Sequence, residues 1–106
     1  NFLYSRRFGP YFVEPLIAGL EGDDFKPFLS GQDVLGCPVF SEDFVVAGSA
    51  EHSLYGMCEQ LYRPNLGPEE LYEVIVQALI QATDRDCLSG YGSLVYILSA
   101  LNLSPA

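Results

Sequence analysis

Apolar residues fall in short runs that look extended up to residue 47 and adopt helical spacing beyond it. Residues 11–20 carry Val13, Leu16, Ile17 and Leu20 among aromatic neighbours and read as a strand. Pro15 removes a ladder donor there, which points to an edge, a bulge or a strand start. The stretch 21–24 (EGDD) has turn chemistry, and residues 26–32 (KPFLSGQ) resume extended chain; together they predict a β-hairpin. Residues 33–38 read as loop, punctuated by Gly36 and Pro38, and 44–47 (FVVA) as a short apolar strand. Upstream, residues 1–8 suit the tail of a helix, with Arg6 and Arg7 placed where cations favour a helix C-terminus and Gly9-Pro10 as the stop.

After Gly48-Ser49 the period changes. Leu54, Met57, Cys58 and Leu61 recur at i, i+3, i+4, i+7 and predict a helix over about 50–62. Residues 63–67 (RPNLG) break it, and a second helix over 68–83 starts at Pro68, a residue suited to the first helical position. Glu69 and Glu70 complement its macrodipole. Leu71, Ile75, Leu79 and Ala82 form one stripe, Tyr72, Val76 and Ile80 a second, and only Glu73, Gln77 and Gln81 a polar one. So wide an apolar face predicts burial on more than one side or contact with a neighbouring subunit. Residues 84–92 (DRDCLSGYG) read as a loop and 93–98 (SLVYIL) as a final strand. The order β-β-β-α-α-β indicates an α+β or layered architecture, and an antiparallel sheet is expected.

Charge removes one class of function. Five Lys and Arg against fourteen Asp and Glu give a net charge of -9, which repels a phosphate backbone, so no nucleic-acid partner is expected. No apolar run approaches the roughly 18 residues of a membrane span, and no secretory signal is visible at the start. The first residue is not Met, which is read as a chain that begins within a longer protein. Cys37, Cys58 and Cys87 are odd in number and lack a CxxC pair; they fit reduced thiols of a cytosolic or nuclear protein, each used as a small core hydrophobe.

Candidate chemistry is sparse. His52 is the single histidine, and a triad of Ser49 or Ser53 with His52 and Asp86 is formally available, yet no GxSxG elbow accompanies it and a solvated helix-surface histidine is the plainer reading. Asp23-Asp24 reads as a turn, not as a carboxylate pair, and Tyr55, Tyr62 and Tyr72 as core or interface. Ser49 suits a helix N-cap, and Asp86 and Ser89 suit turn formation through backbone N–H groups.

The runs RRFGPYFVEPLIAGL, KPF, DFVVAGSAEHSLYGMCE and DRDCLSGYG, in this order and spacing, resemble the second half of proteasome beta-type subunits over about residues 5–98. The resemblance implies the N-terminal nucleophile hydrolase fold, an αββα sandwich, of which 1–106 is a single incomplete domain: a partial sandwich with two helices on one face of the sheet. It implies that active members use an N-terminal threonine activated by its own amino group, in a region with no counterpart here. Ser49 matches the family's junction serine, and Asp86 and Ser89 its loop pair, as remnants rather than catalysts. RRFGPY and DRDxxSG are most similar to a branch without a processed catalytic threonine, which implies a non-catalytic subunit; the alternative is an active threonine-type endopeptidase whose nucleophile lies outside these residues. A third reading is an isolated binding module. No cofactor is implied. A hard cation at the 84–92 loop needs roughly six or more oxygen ligands, which one Asp and one Ser do not supply, so no metal is expected. Implied partners are the other alpha and beta subunits in stacked seven-membered rings, in cytoplasm and nucleus. Residues 99–106 (SALNLSPA), uncharged, depart from the family pattern.

Overall fold

The computed structural model describes residues 1–100, and the chain divides into two compact units, Asn1–Ala47 and the part from Gly48 onward. Most of the tail expected to depart from the family, 101–106, lies outside the described residues.

The first unit is built on a hairpin and one added strand. β1 (Leu16–Glu21), β2 (Lys26–Gln32) and β3 (Pro38–Phe40) form an antiparallel sheet in the order β1-β2-β3. Leu16 pairs with Gly31 and Glu21 with Lys26 across the hairpin, and Ser30 pairs with Phe40. The turn between β1 and β2 needs left-handed backbone at both ends: Gly22 (φ 74°) meets this freely, whereas Phe25 (φ 53°) adopts it against its side chain. The β2–β3 loop is tied by Asp33, whose Oδ1 accepts from the N–H groups of Leu35 (2.9 Å) and Cys37 (2.8 Å). Gly36 (φ 91°) allows that loop to close over Leu3, whose Cβ lies 3.2 Å from where a side chain on Gly36 would begin. Phe28 and Phe40, diagonal neighbours across β2 and β3, meet edge-on at 5.9 Å.

Three expectations are corrected here. The first strand begins at Leu16, not at residue 11, because Pro15 has no N–H to donate; its carbonyl instead accepts from Gln32, just ahead of the ladder. The segment read wholly as loop contains the start of β3: Pro38 sits at a strand's first residue, where it is tolerated. The helix tail read over 1–8 is a single 3-10 turn at Tyr4–Arg6 within a string of tight turns.

The second unit holds α1 (Glu51–Leu61) and α2 (Pro68–Thr83), which pack on one another. Its buried apolar positions are small: Ala50 and Cys58 at α1, Ala78 and Ala82 at α2. Small side chains let helix backbones approach closely, so contact is gained without large core residues. Asn65 (φ 61°) turns the chain between the helices, and Pro68 occupies the first turn of α2 as its missing N–H allows. Leu71, Tyr72 and Ile80 of α2 remain exposed. Residues 94–98 run along Leu71, Tyr72, Ile75 and Leu79, lining a groove of about 270 Å³ with them.

Neither 44–47 nor 93–98 is a strand, contrary to the sequence pattern. Both have β composition, but a strand is defined by a ladder, and neither segment has one among the described residues. No helix among the described residues is long and apolar enough to cross a membrane.

Candidate functional site

One side-chain cluster joins distant parts of the sequence, and it lies wholly in the second unit. Ser49 sits just before α1, held by Gly48, whose φ of 114° re-aims the chain into the helix. Asp86 sits three residues beyond the last residue of α2. The helix winds on past Thr83 through tight bonds: Arg85 N–H donates to the Ala82 carbonyl (3.4 Å) and Asp86 N–H to that of Thr83 (3.2 Å). Gly90 (φ 122°) then folds the loop back so closely that its missing Cβ would lie 3.4 Å from the Thr83 carbonyl oxygen.

The result is a carboxylate with three donors. Ser49 Oγ and Ser89 Oγ each donate to Asp86 Oδ2 at 2.5 Å, and Leu88 N–H donates to Asp86 Oδ1 at 3.2 Å. The two hydroxyl oxygens lie 3.4 Å apart. The Ser49 hydroxyl, followed by the Ser89 hydroxyl and the Leu88 N–H, holds the Asp86 carboxyl below the usual aspartate range, against a smaller opposing push from desolvation. Such a group is a firm acceptor and a poor proton acceptor at neutral pH, where a general base works best with a pKa near the operating pH. The arrangement fastens the loop after α2 to the residue before α1.

The sequence-read residues thus divide. Ser49, Asp86 and Ser89, placed together only by resemblance, are in direct contact. The N-cap reading of Ser49 is corrected: Ala50 is the N-cap of α1, no side chain caps the helix, and the Ser49 hydroxyl is engaged by Asp86 instead. Asp86 does shape its own turn, through Leu88, as turn chemistry predicts. His52 is exposed on α1, as the plainer reading expects, and the Ser49 hydroxyl bonds Asp86 directly. Of the cysteines, Cys58 is buried as expected, and burial, with Glu59 adding to it, pushes its thiol pKa up; Cys37 and Cys87 are exposed rather than core. Asp23 and Asp24 lie in the β1–β2 turn. Among the described residues no group of three or more His, Cys, Asp and Glu is placed to hold a metal ion. The Leu88 N–H and the two positive-φ glycines, Gly48 and Gly90, complete the cluster and were not singled out by sequence; their signal was glycine adjoining each serine-bearing junction.

Comparison with known proteins gives this geometry a context. The family model "Proteasome subunit" matches residues 1–98. The chain is 52% identical over 98 residues to proteasome subunit beta type-3 of Drosophila melanogaster, covering 92% of the chain and 48% of that protein. It is 56% identical over 96 residues to the Saccharomyces cerevisiae beta type-3 subunit (91% and 47%) and 57% identical over 97 residues to that of Picea mariana (92% and 47%). The chain therefore spans about half the length of the curated relatives it matches. Type-3 subunits are also the branch that RRFGPY and DRDxxSG resemble. With a family model over nearly all its length and relatives above half identity, the chain belongs to the proteasome subunit family.

Proposed function

We propose that this chain is part of a non-catalytic, structural beta subunit of the proteasome core particle, which supports ubiquitin-dependent protein degradation through ring assembly in cytoplasm and nucleus. The observation that carries the reading is the similarity to beta type-3 subunits over more than nine-tenths of the chain. Two physical features agree with it. Many large apolar side chains are exposed, among them Phe12, Val39, Phe40, Leu94 and Tyr96, as suits a protein covered by permanent partners. The Ser49–Asp86–Ser89 cluster ties the loop after α2 to the residue before α1, through a carboxylate of lowered pKa that accepts from both hydroxyls.

The retained cluster favours one second reading. In active family members the matching residues support an N-terminal threonine, so an endopeptidase subunit with its nucleophile outside 1–106 is the alternative.

Affinity purification of the tagged full-length protein separates these from an isolated binding module. The expected result is recovery in a large particle together with proteasome alpha and beta subunits, with an intact mass that does not end in a processed N-terminal threonine. Recovery as a free monomer contradicts the assembly role, and a processed N-terminal threonine selects the endopeptidase.

A further inference from the structure

We draw no further inference here: the strongest candidate, the apolar groove of about 270 Å³ between α2 and residues 94–98, lined on the helix side by Leu71, Tyr72, Ile75 and Leu79, carries nothing, because nothing in the structure shows what covers it.

Discussion

In the unit Asn1–Ala47 order comes mainly from backbone, a three-stranded ladder, with one side-chain tie at Asp33 and apolar side chains such as Ile17, Val39 and Phe40 left exposed. From Gly48 onward it comes from side chains: helices packed with Ala78 and Ala82 each 1% exposed, and a carboxylate that bonds a serine 37 residues away. The contrast is between hydrogen bonds that tolerate almost any side chain and contacts that depend on particular ones. Substitutions are therefore expected to be felt unequally in the two units.

The largest difference is in packing. Ala82→Phe in the full-length protein is expected to cost about 3 kcal/mol, because a buried helix contact has no room for the ring. Ala18→Phe, on exposed β1, is expected to change stability by no more than about 0.5 kcal/mol. Thermal denaturation checks both, and equal losses would break the comparison. Next is Gly90→Val. A β-branched residue at φ 122°, close to the Thr83 carbonyl, is expected to cost about 2 kcal/mol and to loosen the Asp86 loop. A change of opposite sign is expected at the β1–β2 turn, where Phe25→Gly relieves left-handed strain by about 1 kcal/mol and raises the melting temperature.

The smallest effect concerns pH. Asp86 is held below its ordinary pKa, so its contribution is fully present above the ordinary aspartate value of about 3.9 and is lost as pH falls through the lowered folded value. Amide exchange at Leu88 is expected to accelerate on acidification within that window, and already at neutral pH in Asp86→Asn, whose amide is a weaker acceptor for the hydroxyls. An unchanged Leu88 rate in the variant would show that the carboxylate does not hold the loop.

How much of this was legible follows from how local each signal is. The bounds of α2 were readable because Pro68, the two glutamates and the apolar stripes all lie within the helix itself. The hairpin was readable from its turn. Strand existence was not, since FVVA and SLVYIL have the composition of strands but no ladder among the described residues, and β3 lay behind a Pro that composition treats as a stop. The site showed the same limit. Turn chemistry found Asp86 and Ser89, which are near neighbours. The bond to Ser49 spans the two helices, and nothing within either segment announces it; resemblance to a family supplied that pairing.

The proposed reading is that peptide-bond cleavage does not originate in this subunit. Its most direct test is to treat the assembled core particle, carrying a tagged full-length copy, with an electrophilic probe selective for N-terminal threonine nucleophiles, and to locate the adducts by mass spectrometry. The account predicts adducts on other beta subunits and none on the tagged one. A stoichiometric adduct on the tagged subunit, with loss of a peptidase activity, would contradict it.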